Sequence, residues 1–261
     1  MPAPTLVPGA PCWIDLYSSD TGAATTFYSR LLGWSAEPPE EGFGGYFTFT
    51  KDGKFVAGCM ANDGTTGAPD AWTVYLSTDD VEATAKAAAE HGGRVYVAPM
   101  QVGDNGSFAM LGDSGNAGIG AWQAGTMKGF DVRNEVGTPT WFELHTRDYA
   151  GAVAFYRDVF GWEPRTMSDT PEFRYTTLGE GDDALAGIMD ETASAPEGSP
   201  EGWSVYFRVD DTDAALERVV ELGGKIVAPA VDTPYGRLAQ AADPTGVAFR
   251  LVADEKRETT T

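Results

Sequence analysis

The chain has 261 residues, of which 42% are hydrophobic and 22% charged, ordinary values for a folded protein with room for a core. Lys and Arg number 18 against 39 Asp and Glu, and a net charge of −21 repels phosphate backbones and anionic lipid, which argues against nucleic-acid and membrane binding. Two cysteines, Cys12 and Cys59, lie outside any CxxC and cannot frame a disulfide-stapled fold of this length.

The first recognisable element is the stretch "PCWIDLYSSD" at residues 11–20, which alternates like a half-buried strand. A helix is expected over Thr21 to Leu32, with Ala24, Phe27, Tyr28, Leu31 and Leu32 on one side. Asp20 is a suitable N-cap, and Gly33 a suitable stop. "GGYFTFTKDGKFVAGCM" then reads as a glycine-rich hairpin. The plan repeats with a strand "AWTVYLST", an Asp79-Asp80 cap, a helix over 81–91, a Gly92-Gly93 stop, and three strands ending "AGIGAWQ". "QAGTMKGFDVRNEVG", Gln123 to Gly137, is rich in glycine and charge and reads as a linker.

Then the opening returns as "PTWFELHTRD" at 139–148. Trp13 matches Trp141, Asp20 matches Asp148, Phe27-Tyr28 match Phe155-Tyr156, and Gly33-Trp34 match Gly161-Trp162, all 128 positions apart. "WTVYLSTDD" at 72–80 matches "WSVYFRVDD" at 203–211, and "GDSGNAGIGAW" matches "ADPTGVAFRLV". The expected organisation is a first module over 7–122, a linker over 123–137 and a second module over 138–253. The fold class is α+β: four βαβββ units whose mixed sheets curve into cups with helices outside.

With these residues in view, the chain resembles the vicinal oxygen chelate superfamily, that of glyoxalase I, bleomycin resistance proteins and extradiol dioxygenases. The carrying segments are "WIDLYSSDTGAATTFYSRLLGW", "WFELHTRDYAGAVAFYRDVFGW", the two W-[TS]-V-Y strands ending in Asp-Asp, and "DPTG" at 243–246. The likeness covers nearly the whole chain and is nearest to two-module, hydroxylase-type glyoxalase-like proteins. That group includes a mycobacterial secreted-antigen homologue and proteins of aromatic polyketide antibiotic clusters. The resemblance fixes the fold more firmly than the activity, because one such fold hosts many chemistries.

The resemblance implies a metal ligand seven residues before the strand-ending Asp. Those positions hold Trp13 and Trp141, and the matching second-half positions hold Trp72 and Trp203. The implied last ligand, a carboxylate, falls at Gly120 and Arg250. Indole offers only a donor, glycine no side chain, and arginine a permanent cation. Only two histidines exist, and His91 follows a helix as a surface cap. The expectation is therefore no metal and no cofactor, with metal-dependent glyoxalase or dioxygenase chemistry disfavoured.

Strand residues two apart share a face. If the tryptophans stand where ligands would, Trp13, Asp15 and Tyr17 point into one cup, and Trp141, Glu143 and His145 into the other. By the same step Trp72, and Trp203 with Val205 and Phe207, face inward. Indole-lined cups with an acid suit a flat, largely apolar ligand bearing hydroxyl or keto groups. The competing reading is that the tryptophans fill the core. Glu143 and His145 are the pair that could carry acid–base work; otherwise they form a structural hydrogen bond.

"GDSGN" at 112–116 echoes a serine nucleophile motif, but it stands in the place of the DPTG turn. The glycine-rich run Gly103–Gly120 lacks the Lys-Ser/Thr and helix of a phosphate loop.

The leading expectation is a metal-independent protein that binds an aromatic, polyketide-like molecule, for antibiotic tailoring or for self-resistance by sequestration. The alternative is a cofactor-free tailoring enzyme of hydroxylase or isomerase type using Glu143 and His145. No signal-peptide pattern opens "MPAPTLVPGAP", so a cytoplasmic monomer or homodimer is expected.

Overall fold

The computed structural model describes residues 6–39, 42–193 and 201–254. The strand–helix–three-strand plan recurs four times. The first round is β1 (Pro11–Ser18), α1 (Thr21–Leu32), β2 (Ser35–Ala36), β3 (Phe47–Lys51) and β4 (Lys54–Ala61). The second is β5 (Ala71–Ser77), α2 (Val81–Glu90), β6 (Arg94–Val102), β7 (Gly106–Gly112) and β8 (Gly118–Ala124). The third is β9 (Pro139–Thr146), α3 (Tyr149–Phe160), β10 (Pro164–Thr170), β11 (Phe173–Leu178) and β12 (Ala186–Asp190). The fourth is β13 (Gly202–Arg208), α4 (Thr212–Glu221), β14 (Lys225–Thr233), β15 (Gly236–Ala242) and β16 (Ala248–Ala253). Strand β8 runs to Ala124, so it takes in the first two residues expected to be linker.

Two open, eight-stranded mixed sheets result, ordered β2-β3-β4-β1-β5-β8-β7-β6 and β10-β11-β12-β9-β13-β16-β15-β14. The parallel pairs β1/β4, β5/β8, β9/β12 and β13/β16 each span a helical crossover or a hairpin's return. Capping sets the helix starts: Asp20, Asp80, Asp148 and Asp211 each accept a backbone N–H from the first turn. Gly33 and Gly161 end α1 and α3 at φ 74° and 69°, a left-handed conformation that L side chains resist.

The chain divides into two compact units, and each draws on both halves of the sequence. One unit takes the chain up to Ile14, Thr73–Phe130 and Phe142–Ser204; the other takes Asp15–Trp72, Asp131–Trp141 and the chain from Val205 on. In the first, α2 packs on α3; in the second, α1 packs on α4. Each has a dense aromatic core. In the first, Phe155, Tyr156, Phe160 and Trp162 cluster, and Trp162 Nε1 donates to Gly9 O at 2.8 Å. In the second, Tyr28, Trp34, Phe49 and Phe249 cluster, and Trp34 Nε1 donates to Gly137 O at 2.6 Å. No described helix is long and apolar enough to cross a membrane.

Candidate functional site

Strand β9 sets the site by alternation. Phe142 and Leu144 are fully buried, which turns Trp141, Glu143 and His145 to the other face. Glu143 and His145 are each only 6% exposed, so neither is a solvated rim residue. Glu143 Oε1 accepts the Tyr175 hydroxyl at 2.5 Å from β11, two strands away. The strand between them, β12, places Gly187 opposite Glu143. A Cβ on Gly187 would overlap the Tyr175 hydroxyl, so glycine is required for this hydrogen bond to cross the strand.

The imidazole of His145 lies between two carboxylates. Its Nε2 is 3.0 Å from Glu143 Oε2, close but without hydrogen-bond alignment. Its Nδ1 meets the Glu191 carboxylate. Glu191 follows β12, and its backbone N–H bonds Thr146 O at 2.9 Å, which fixes it beside His145. Buried ionisable groups persist only when partnered, and here each supplies the next. At the same sheet end, Asp190 is held below the usual carboxylate range. Its desolvation opposes this, but bonds from Thr192 and the charge of Arg174 outweigh it. The guanidinium of Arg174 also lies 4.7 Å over the Tyr149 ring.

The other module repeats half of this device. Asp15 Oδ1 accepts the Tyr46 hydroxyl at 2.8 Å, and Gly58 stands opposite Asp15 on β4, leaving room for that hydroxyl. Tyr17 replaces the histidine and reaches Thr66 at 3.3 Å. Asn62 stands where the second module has Glu191, and it turns to Asp70 at 2.7 Å. Burial pushes the nearby Cys59 thiol up to about 12, with the charges of Asp15 and Asp243 adding to it. One module therefore holds a carboxylate–imidazole–carboxylate row, and the other a carboxylate and a phenol.

Trp72, Trp203 and Phe207 do not share these faces, which corrects the inward orientation expected for them. Trp72 Nε1 donates to the Tyr28 hydroxyl on α1 at 3.0 Å, and Tyr28 donates on to Asp243 at 3.2 Å. Trp203 Nε1 donates to the Tyr156 hydroxyl on α3 at 2.8 Å, and Tyr156 donates on to Asp113 at 3.1 Å. Phe207 is fully buried among Tyr28, Trp34, Trp72 and Phe249. The phase of β5 and β13 is opposite to that expected, because an indole N–H buried under a helix needs an acceptor and the helix tyrosine supplies it. Burial, then the partner carboxylate, raises both phenols well above their ordinary range. Burial likewise raises Asp113. Trp13 keeps the face of Asp15 but is buried, its ring 5.6 Å from Phe130.

The positions where the resemblance implies metal ligands do not offer a metal's donor set. The indoles of Trp72 and Trp203 spend their N–H on tyrosines. The room a side chain at Gly120 would need is filled by the Tyr75 ring. The guanidinium of Arg250 lies 5.5 Å over the Tyr206 ring. Among the described residues no group of three or more His, Cys, Asp or Glu is arranged to hold a metal ion.

Tyr175, Glu191, Tyr46 and the two glycines were not singled out from sequence. A signal existed: Tyr46 and Tyr175, like Gly58 and Gly187, stand 129 positions apart in the repeat.

A family profile described as "Glyoxalase/Bleomycin resistance protein/Dioxygenase superfamily" matches residues 12–118 and again 138–251. The chain is 38% identical over 261 residues to "Anthracycline biosynthesis protein DauV" of Streptomyces sp. (strain C5), covering 94% of this chain and 93% of that protein. It is 35% identical over 249 residues to "Putative glyoxylase CFP32" of Mycobacterium bovis, covering 94% of each. Among solved structures, a Mn(II)-bound glyoxalase from Novosphingobium aromaticivorans superposes with a TM-score of 0.64 at 14% identity, over 95% of this chain and 83% of that one. The 2,3-dioxygenase LapB from Pseudomonas sp. KL28 superposes with a TM-score of 0.62 at 12% identity, over 96% and 94%. At these identities the two structures share the fold alone.

Proposed function

The chain belongs to the glyoxalase/bleomycin resistance protein/dioxygenase superfamily, and from that premise we propose that it binds an aromatic, polyketide-like small molecule without a metal ion. Its role would be a tailoring step in antibiotic biosynthesis, or self-resistance by sequestration. Its likeness to a Streptomyces anthracycline biosynthesis protein supports the biosynthetic setting. The observation that carries the reading is the buried row Tyr175–Glu143–His145–Glu191, on the strand face that also bears Trp141. An indole gives a flat ring a stacking surface, and the row gives hydroxyl or keto groups a partner of either polarity. Asp15 and Tyr17 offer the corresponding, histidine-free face in the first module, where Trp13 is buried behind them.

The second reading is a cofactor-free enzyme of hydroxylase or isomerase type. It is favoured by one feature, the imidazole flanked by two carboxylates. His145 can take a proton from one atom of a bound phenol or ketone and return it to another, with Glu143 and Glu191 orienting the ring. Such a step is a net isomerisation, and it needs no other reactant.

The test is a tryptophan-fluorescence titration of EDTA-treated protein with a panel of anthraquinones, with mass spectrometry of the same samples. Saturable quenching without product is the expected result for a binder. Product that disappears in Glu143→Gln and His145→Ala would make it an enzyme. Folded, metal-free protein that quenches with no member of the panel would sink both readings, and activity abolished by the chelator would restore a metal-dependent one.

A further inference from the structure

We propose that Arg250 is an oxyanion receptor that binds a carboxylate or phenolate edge of a planar ligand, with the Tyr206 ring as its backing. The ring of that ligand rests on the aromatic reading above; its charge does not.

On β16, Phe249 and Leu251 are buried on the helix-covered side, so Arg250 between them faces the other way. It pairs across the sheet with Tyr206 on β13 and with Gln240 on β15. Its guanidinium lies 5.5 Å over the Tyr206 ring. Its Nε is buried and has no hydrogen-bond partner among the described residues. Several other guanidiniums are held by carboxylates. Arg208 holds both oxygens of Asp254 at 2.8 Å, Arg237 holds Asp213 and Asp232, and Arg174 holds Asp169 and Asp190.

The chemistry of a fitting partner follows from the donor. Guanidinium is planar, always charged, and presents N–H groups in a fork that fits two oxygens side by side. The Tyr206 ring, 5.5 Å from the guanidinium carbon, backs that fork on one side. The matching position in the first module is Gly120, where the Tyr75 ring fills the space, so only the second module carries this charge. The resemblance implies a metal-binding carboxylate at this position. Arginine reverses the sign: it repels a divalent cation and attracts the ligand's own anionic oxygens.

The test compares anthraquinone-2-carboxylate with its methyl ester by fluorescence titration, in the wild-type protein and in Arg250→Met and Arg250→Lys. A second arm reads the rise in Tm that millimolar benzoate gives each protein. The wild type is expected to prefer the acid over the ester by about tenfold or more. Arg250→Met should lose that preference while binding the ester within about threefold of wild type, and benzoate should no longer raise its Tm. Arg250→Lys, which keeps the charge and loses the fork, should keep a reduced preference, and it decides the matter if the methionine variant does not fold. Equal binding of acid and ester by wild type, or a preference that survives in Arg250→Met, overturns the proposal while leaving the aromatic reading intact. Benzoate stabilisation that depends on Arg250, with neither anthraquinone bound, keeps the oxyanion site and sinks the polycyclic reading. No response to benzoate and none to the acid overturns it outright.

Discussion

Tyr28 donates its hydroxyl to Asp243, 215 positions further along the chain, at 3.2 Å. Tyr156 makes the reciprocal contact to Asp113, so a helix of each module holds the turn of the other through one buried phenol. Each phenol also receives an indole N–H, from Trp72 and from Trp203. These two triads explain why each compact unit draws on both halves of the sequence.

Removing either phenolic hydroxyl leaves a buried indole N–H and a carboxylate short of a partner, which costs about 1–3 kcal/mol. Tyr156→Phe is therefore expected to lower the free energy of unfolding by that amount, read as a lower urea midpoint with little change in m-value. The two triads share no residue, so Tyr28→Phe should add to it. A loss below about 0.5 kcal/mol for either variant would mean the triad is not stabilising.

Asp113 has its carboxyl raised by burial, against bonds from Ala117, Tyr156 and Gly115. A carboxyl raised in the fold contributes stability that is fully present below its unfolded range and is lost as pH rises through the folded value. Asp113→Asn removes that dependence. The stability difference between wild type and variant should move in the variant's favour between pH 4 and pH 7. A difference that stays constant over that range would refute the assignment.

Cys59 is fully buried, and its thiol is pushed up to about 12. At pH 8 its thiolate fraction is about one in ten thousand. Cys12 is buried too, its Sγ directed to Tyr75 O at 3.4 Å. Neither thiol is expected to react with Ellman's reagent in the native protein, and both should react in denaturant. Rapid labelling of one thiol before unfolding would contradict this packing.

Gly187→Ala sets a methyl against the Tyr175 hydroxyl and breaks its bond to Glu143. A stability loss of about 1–3 kcal/mol is expected. Deleting the hydroxyl removes the closest overlap and leaves the Cζ edge of the ring at 2.5 Å, so the double variant Gly187→Ala/Tyr175→Phe should be more stable than additivity predicts without regaining the whole loss. Thermal or urea unfolding of the four proteins gives the coupling, and purely additive losses would show that the hydroxyl's own overlap is not what the methyl costs.

The repeat, the helix bounds and the caps were legible because they are local. Asp20, Gly33 and their counterparts at 148 and 161 act within a turn of the residues they cap. The faces of β1 and β9 were legible for the same reason, since alternation around Glu143 and Asp15 fixes them. The phase of β5 and β13 was not. "AWTVYLS" and "GWSVYFR" put Trp, Val and Leu or Phe in one phase, and placing Trp72 and Trp203 at ligand positions turned that phase the wrong way; which face lies under a helix is set by Tyr28 and Tyr156.

The sequence by itself determined the fourfold strand–helix plan and the doubling of the module. Tertiary structure alone decided which indoles lie under helices, that Tyr175 and Glu191 complete the row begun by Glu143 and His145, and that the Tyr206 ring backs Arg250. Those outcomes depend on hydrogen-bond partners and charges drawn from strands and turns tens to hundreds of residues apart. Desolvation makes each buried polar group seek such a partner, and only the folded chain fixes which one it finds.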